Sequence, residues 1–239
     1  MNIYENLPIS AILKGNSYVG RGIVLGLTED GKKAVAAYFI MGRSANSRNR
    51  VFTVKNGEVF TETFDASKVV DPSLIIYAAI RQFKNRLIVT NGNQTDTVYE
   101  GLAAGKTFSA ALESRCFEPD EPNFTPRISG MLTLDAERPC YEMSILKSID
   151  AVGSDCARYT FSYPAKPGLG HFIHTYVCDG SPIPTFQGEP ERIRLGSDID
   201  AFTKELWENL DADNKISLYV RFIDLSTKEM TERLINKNK

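Results

Sequence analysis

Two short polar segments of this 239-residue chain carry residue types that could bind an anion. The first, "RSANSRNR" at residues 43–50, holds three arginines directly after an apolar run. Guanidinium groups offer the forked hydrogen bonding that matches a phosphate. The second, "VTNGNQTDTV" at residues 89–98, ends an apolar run in a turn and enters a helical pattern, whose first N–H groups favour anions. Alternatively, the first segment is a solvated hairpin loop and Asp96 only an acid in a first helical turn.

A third polar segment, "FEPDEPNFTPRISG" at residues 117–130, is predicted to be a loop because it contains three prolines. Its acids Glu118, Asp120 and Glu121 precede Arg127 and could accept hydrogen bonds from ribose hydroxyls or an amine. They could equally form internal ion pairs on the surface. The two histidines, His171 and His174, stand three apart in a strand-like run. We expect them to face opposite sides and therefore not to share a metal ion.

Composition narrows the classes of protein that could use these segments. The formal net charge of −2 gives no overall attraction to a polyanion, so nucleic-acid binding is not expected. No apolar stretch reaches the roughly 18 residues of a membrane span, and no signal-peptide pattern opens the chain, so we expect a cytoplasmic protein. Cys116, Cys140, Cys156 and Cys178 form no CxxC pair and are expected to be buried free thiols.

Hairpins that would position the polar segments dominate the first third of the predicted structure. "RGIVLGL" and "AVAAYFIM" flank "TEDGKK", "RVFTV" and "EVFTETF" flank "KNG", and "LIIYAAIRQF" and "RLIVTNG" flank "KN". Asp-Gly and Asn-Gly tolerate the positive φ angles of tight turns. Two short helices, separated at Gly105, are predicted over "QTDTVYEGLAAGKTFSAALESRCF". The polar segments therefore fall at strand ends and at a helix start.

The second half repeats this pattern. We expect "RISGMLTLD" to pair with "CYEMSILKSI", and "ARYTFSY" with "HFIHTYVCD" around "PAKPGLG". A helix is predicted at "SDIDAFTKELWENL", with Ser197 and Asp200 as an approximate capping box, then a strand at "KISLYVRFIDL" and a terminal polar helix at "TKEMTERLINK". Hairpins in two groups, each followed by helices, predict an α+β domain in which two antiparallel sheets pack face to face with helices outside.

Five strings of the sequence resemble the archaeal type of the IMP cyclohydrolase family, which also has bacterial members. They are "YVGRGIVLG", "RSANSRNR", "IIYAAIR", "VTNGNQTDTV" and "PDEPNFTPRISG", and they cover residues 17 to about 130. The resemblance implies a four-layer αββα sandwich like that of N-terminal nucleophile hydrolases. It implies a hydrolase-class enzyme of purine biosynthesis, which closes 5-formamidoimidazole-4-carboxamide ribonucleotide (FAICAR) to inosine monophosphate with loss of water. No metal or redox cofactor is then needed, and the partner is a small purine nucleotide.

The resemblance also assigns residues to the site, position by position. It implies catalytic roles for Arg43 and Tyr77 near the reacting groups and for Asn91, which would orient the carboxamide. Arg21 and Arg50 are expected nearer the phosphate. The complete set of expected substrate-binding residues is Arg21, Ser44, Asn49, Arg50, Gly92, Thr95, Asp96, Asp120, Asn123 and Arg127.

Two departures from the family pattern leave alternatives open. First, about 17 residues precede "YVGR", so we expect a single domain over residues 1–239 with an N-terminal extension at 1–16. Second, the arginine-rich segment is about two residues longer than in the family, which leaves Arg48 without an assigned role. One alternative is an amide-bond hydrolase of the same fold, which would need Cys, Ser or Thr at a mature N-terminus. The other is a purine-nucleotide binding module without catalysis, and a homo-oligomer is compatible with each reading.

Overall fold

The computed structural model describes residues 4–68 and 76–238, and its elements are mainly β-strands. In chain order they are α1 (Ser10–Leu13), β1 (Arg21–Leu27), β2 (Lys33–Met41), α2 (Ala45–Arg48), β3 (Arg50–Lys55), β4 (Glu58–Thr63), a 3-10 turn (Ala66–Lys68), β5 (Tyr77–Phe83), β6 (Arg86–Thr90), α3 (Gln94–Ala103), α4 (Phe108–Leu112), β7 (Arg127–Thr133), β8 (Cys140–Ser148), β9 (Cys156–Pro164), β10 (Leu169–His174), β11 (Glu191–Arg194), α5 (Ile199–Asn209), β12 (Lys215–Asp224) and β13 (Met230–Asn236).

These strands form two antiparallel sheets that pack face to face. Within the described residues, the six-stranded sheet has the order β11-β10-β1-β2-β12-β13 and the seven-stranded sheet the order β3-β4-β5-β6-β7-β8-β9. Side chains such as Ile23 of the first sheet and Val89 of the second share one buried cluster. Helices α1 and α5 pack on the outer face of the six-stranded sheet, and α3 and α4 on that of the seven-stranded sheet. The predicted α+β sandwich is confirmed.

The structure contains four of the predicted hairpins. They could be predicted because the residues that favour each turn are adjacent in the sequence. β1 pairs with β2, β3 with β4, β5 with β6 and β7 with β8, each antiparallel. Asn56 and Gly57 both have positive φ, 53° and 76°, as the Asn-Gly turn predicts. Helices α3 and α4 are separated near Gly105, as expected. The first residues of the third predicted hairpin, 74–75, lie outside the described residues.

The predicted pairing of β9 with β10 is wrong. β9 pairs with β8 at the edge of the seven-stranded sheet, whereas β10 lies between β1 and β11 in the six-stranded sheet. Every residue of β10 is buried, while β9 is half-exposed. A strand buried on both faces suits a central position, and a half-exposed strand suits an edge. The segment 165–168 therefore crosses from one sheet to the other rather than closing a hairpin.

Two predictions near the C-terminus are also wrong. The expected terminal helix is the strand β13, which pairs antiparallel with β12 and alternates between exposed and half-buried residues, the period of a sheet edge. The expected capping box at Ser197 and Asp200 is absent, because Asp198 is the N-cap of α5 and its carboxylate accepts from the N–H groups of Asp200 and Ala201.

The cysteines are free thiols, as expected, but they are less buried than expected. All four cysteines are free thiols, but Cys116, Cys140 and Cys178 are exposed and Cys156 is partly buried, because they lie in loops or at the first residue of a strand. Leu7 bridges Ile193 of β11 and α1 packs on α5, so the described part of the segment before β1 is packed against the six-stranded sheet. No helix in the described residues is long and apolar enough to cross a membrane.

Candidate active site

Several polar side chains meet at one end of the sandwich, between the two sheets. Arg21, Arg50, Tyr77 and Arg127 are the first residues of β1, β3, β5 and β7. Within each sheet, alternate antiparallel strands begin at the same end. The ends of the two sheets meet here, because the hydroxyls of Tyr38 in the six-stranded sheet and Tyr77 in the seven-stranded sheet are 2.7 Å apart. Strand starts separated widely in sequence thus form one cluster.

Arg50 is the most deeply buried cation of this cluster. It is fully buried, and its Nε donates to the Ser47 carbonyl oxygen at 2.8 Å. Its Nη1 and Nη2 have no hydrogen-bond partner among the described residues, and neither has the buried Nε of Arg21. Burial and the neighbouring Arg21 lower the pKa of Arg50. Two adjacent guanidinium groups with unpaired buried donors favour binding of an anion or a developing oxyanion.

Two tyrosines from facing sheets stand beside these arginines. The hydroxyls of Tyr38 on β2 and Tyr77 on β5 are 2.7 Å apart, and both side chains are buried. Burial raises the pKa of Tyr77, although Arg50 and Arg21 act in the opposite direction. Burial and the adjacent Tyr77 also raise the pKa of Tyr38. Both phenols therefore stay protonated near neutral pH and can donate hydrogen bonds.

Glu118 is the carboxylate of this cluster. Only 3% of the residue is exposed. Burial raises its pKa, with Arg21 and Arg127 opposing that effect. Burial opposes the charge on Arg21, yet Glu118 and nearby tyrosines raise the pKa of that arginine overall. Sequence reasoning treated Glu118 only as one acid of a loop. In the sequence, Glu118 stands out only because a proline follows it and because Arg127, the first residue of a strand, lies nearby.

The loop that carries Glu118 is held by a chain of hydroxyl groups. The Asp120 carboxylate accepts from the Thr125 N–H at 2.6 Å and from the Thr125 hydroxyl. Tyr176 follows β10, and its hydroxyl lies 2.5 Å from the same Thr125 hydroxyl. Asn123 accepts from the N–H of Ile183 at 3.1 Å. Asp120 and Asn123, both expected to bind substrate, thus have structural partners beside the cluster.

The turn between β6 and α3 contacts the cluster through Arg127. Its Nη1 donates to Gln94 Oε1 at 2.8 Å. A Cβ on Gly92 would lie 2.5 Å from that same Nη1, so a side chain there would displace the guanidinium. Asn91 donates to the Pro126 carbonyl at 2.9 Å and accepts from the Ile128 N–H at 2.9 Å, which ties the turn to β7. Thr95 bonds to the hydroxyl of Thr90 at 2.6 Å.

Other expected site residues lie at or beyond the rim. Arg43 forms an ion pair with Asp179, and its guanidinium carbon lies 5.3 Å from the centre of the Tyr18 ring. Asp96 of α3 pairs with Arg81 of β5 at 2.9 Å, between the helix and the seven-stranded sheet. The structure therefore brings Arg43 near the cluster but not into it, and it turns Asp96 away.

The remaining two expected residues hold the arginine-rich segment in shape. Ser44 is the N-cap of α2, where its hydroxyl accepts from the Ser47 N–H at 3.1 Å. Asn49 bonds to both backbone groups of Asp65, each at 2.8 Å. Arg48 donates to the Gly42 carbonyl and to Asn214, away from Arg50. Of the three arginines in this segment, only Arg50 points into the cluster.

An αββα sandwich with a buried cationic and phenolic cluster at one end fits a protein that binds a small anionic molecule. The chain belongs to the IMP cyclohydrolase-like family, whose family model matches residues 18–229. It is 36% identical over 116 residues to the IMP cyclohydrolase of Methanopyrus kandleri, in a match that covers 47% of this chain and 57% of that protein.

Two further archaeal proteins match a larger part of the chain. The IMP cyclohydrolase of Methanocaldococcus jannaschii is 30% identical over 176 residues, which cover 72% of this chain and 81% of that protein. The IMP cyclohydrolase of Methanococcus aeolicus is 29% identical over 165 residues, 67% of this chain and 75% of that protein. The chain thus spans just over half of the first relative's length and three quarters or more of the other two.

Proposed function

We propose that this chain is an IMP cyclohydrolase, which closes FAICAR to inosine monophosphate with loss of water in purine biosynthesis. Membership of the IMP cyclohydrolase-like family supports the reaction. The structural observation that carries the proposal is the pair of unpartnered terminal nitrogens of Arg50, buried beside the Tyr77 hydroxyl. The proposal includes a cytoplasmic location, which free thiols favour.

In this reaction the carboxamide nitrogen forms a bond to the formyl carbon, and the formyl C=O π electrons move onto the oxygen. The oxygen receives two protons, one lost by the carboxamide nitrogen and one by the formamide nitrogen, and leaves as water. The enzyme therefore has to hold two groups of one molecule in contact and stabilise an oxyanion. Arg50, Arg21 and Tyr77 lie together and are assigned to that oxygen.

Glu118 is assigned the removal of the carboxamide proton. Its burial raises its pKa above the ordinary value of a glutamate, which makes the carboxylate a stronger base. Arg21 and Arg127 flank it and keep the charged form accessible. A carboxylate placed between the two arginines could take the proton while Tyr77 and Arg50 hold the oxygen.

The 5'-phosphate is assigned to the side of Glu118 that faces Arg127. This departs from the sequence-based expectation for Arg21 and Arg50, because those two share their pocket with the proton donor Tyr77. One nitrogen of Arg127, Nη1, donates to Gln94. Burial lowers the pKa of Arg127, and the nearby Arg115 lowers it further. Two cations beside the uncapped start of α3 suit a dianion. The catalytic role predicted for Arg43 stays a prediction, since this arginine pairs with Asp179 at the rim.

The test is the ultraviolet difference spectrum of the protein mixed with FAICAR, compared with uncatalysed closure. We expect wild type to accelerate formation of inosine monophosphate, and Arg50→Ala to lower kcat/KM by about 100-fold or more, as expected for loss of an oxyanion donor. Arg48→Ala is the matched control, since this arginine lies in the same segment and points away. Binding of FAICAR without acceleration would replace the proposal with the non-catalytic module.

A further inference from the structure

We propose that Tyr38 is a positioning residue for the ring closure, because its hydroxyl fixes the direction of the Tyr77 proton. The two hydroxyls are 2.7 Å apart and come from opposite sheets. This inference rests on the proposed function and adds to it a residue that the sequence motifs did not contain.

The fold leaves the Tyr38 ring no freedom to turn away. Tyr38 has no exposed surface and lies on the inner face of β2, directly opposite Ile23 of β1 and Tyr219 of β12. Its ring stacks on Phe52 with centroids 5.3 Å apart and planes 27° from parallel. A ring fixed in this way holds its hydroxyl oxygen at one position relative to Tyr77.

The direction of the hydrogen bond follows from the groups around the pair. Each phenol has one proton, and the adjacent charged side chains, Arg21 and Arg50, can donate but not accept. Among the described residues, no other acceptor lies within hydrogen-bond distance of the Tyr38 hydroxyl. By distance alone either hydroxyl could donate, and in both cases one proton is left without a partner among the described residues. Tyr38 has no exposed surface, whereas Tyr77 keeps 5% exposure at the site, so the remaining proton is less costly on Tyr77, where substrate can accept it. Tyr38 is therefore the donor and Tyr77 the acceptor.

This assignment leaves the Tyr77 proton directed into the site. In the reaction, Tyr77 gives that proton to the formyl oxygen as the carboxamide nitrogen bonds to the carbon and loses its own proton to Glu118. The Tyr38 hydroxyl then stabilises the negative charge left on the Tyr77 oxygen, together with Arg50 and Arg21. When the C–O bond breaks, Glu118 passes its proton to the same oxygen, which leaves as water, and Tyr77 regains a proton from the formamide nitrogen. Tyr38 does not touch substrate and acts only through Tyr77.

The experiment measures steady-state ring closure in Tyr38→Phe, Tyr77→Phe and the double variant. Tyr38→Phe keeps the ring and its stack on Phe52 and removes only the hydroxyl. We expect kcat to fall about 3- to 10-fold in Tyr38→Phe with KM changed less than twofold, the size of one hydrogen bond. Tyr77→Phe should cost about 100-fold. The double variant should be no slower than Tyr77→Phe alone, because both changes remove one function.

The control is Tyr219→Phe, a tyrosine directly opposite Tyr38 in the sheet whose hydroxyl bonds to Glu232 and Arg221 instead. It should leave kcat unchanged. A purely structural role for Tyr38 would make its loss multiply with that of Tyr77→Phe, and this result, or an unchanged kcat in Tyr38→Phe, would overturn the inference. A wild-type protein that does not accelerate closure would reject the proposed function itself and the role of Tyr38 with it.

Discussion

At the scale of single residues, the ionisation of Glu118 gives the sharpest prediction. Its pKa in the folded protein is raised by burial, so the carboxylate that acts as base forms only above the ordinary range of a glutamate. We expect kcat/KM to rise with pH through that raised pKa. Glu118→Gln should lose this limb and fall about 100-fold or more.

The control for Glu118 is Glu121→Gln, which changes an exposed acid of the same loop and should leave both rate and pH profile intact. A Glu118→Gln variant that kept the acidic limb would show that another group titrates.

Sequence reasoning at this scale predicted Arg21, Arg50, Tyr77 and Arg127 as site residues but did not predict the contacts they make. Arg21, Arg50, Tyr77 and Arg127 do lie together, as the resemblance implied. Tyr38 stands in an apolar strand and has the appearance of a core residue, because its partner Tyr77 is 39 positions away and in the other sheet. Only the packing of the two sheets makes this contact, so a local pattern could not predict it.

At the scale of elements, the entry to β1 depends on a glycine. Gly20 has φ of +76°, and a Cβ there would lie 2.1 Å from Thr175 Oγ1 and 2.6 Å from the Tyr176 ring. We expect Gly20→Ala to lower the free energy of unfolding by about 2 kcal/mol or more, from left-handed strain plus the clash, and to reduce activity because Arg21 follows directly.

Gly15→Ala is the matched control for this prediction. Gly15 has a similar φ of +80° but nothing within 4 Å of its would-be Cβ, so only backbone strain is added. Thermal unfolding of both variants separates the two effects. Equal losses of stability would mean that the contact with Thr175 and Tyr176 does not constrain β1.

The elements also show which parts of the fold a sequence can predict. Hairpins joined by Asp-Gly or Asn-Gly were predicted because the turn residues themselves encode the pairing. The partners of β9 and β10 were not predicted. The segment between these strands contains turn residues, but β9 pairs with β8 and β10 with β1, and this pairing depends on how each strand is buried. The sequence of β13 predicted a helix, because a strand at the edge of a sheet carries many polar residues and here shows no clear alternation of polar and apolar residues.

At the scale of the whole molecule, ligand binding should be visible as stability. The buried cluster holds more positive than negative side chains, so the unliganded protein lacks counter-charges that a nucleotide would supply. We expect inosine monophosphate at 100 times its Kd to stabilise wild type by about 2.7 kcal/mol, seen as a higher Tm. The same concentration should shift Arg50→Ala much less, and equal shifts would place binding elsewhere.

The acid sensitivity of the fold should depend on His171, which lies between the sheets. It is 1% exposed, its Nδ1 is 2.6 Å from the Tyr141 hydroxyl and its ring stacks on Tyr163 at 3.7 Å. Burial, with Arg192 nearby, lowers its pKa from 6.5 to about 4. Between pH 6.5 and about 4, the unfolded chain binds a proton at His171 and the folded protein does not. The stability due to neutral His171 is therefore present above pH 6.5 and is lost as pH falls towards 4.

We expect this loss to be about 2 kcal/mol between pH 8 and pH 4.5, before carboxylates of lowered pKa contribute. Glu118 acts in the opposite direction, since its raised pKa adds stability as pH falls. Urea unfolding should therefore be measured in a Glu118→Gln background, with and without His171→Gln. His171→Gln should flatten the fall in stability across this range. An unchanged slope would mean that His171 accepts its proton without disturbing the packing of the two sheets.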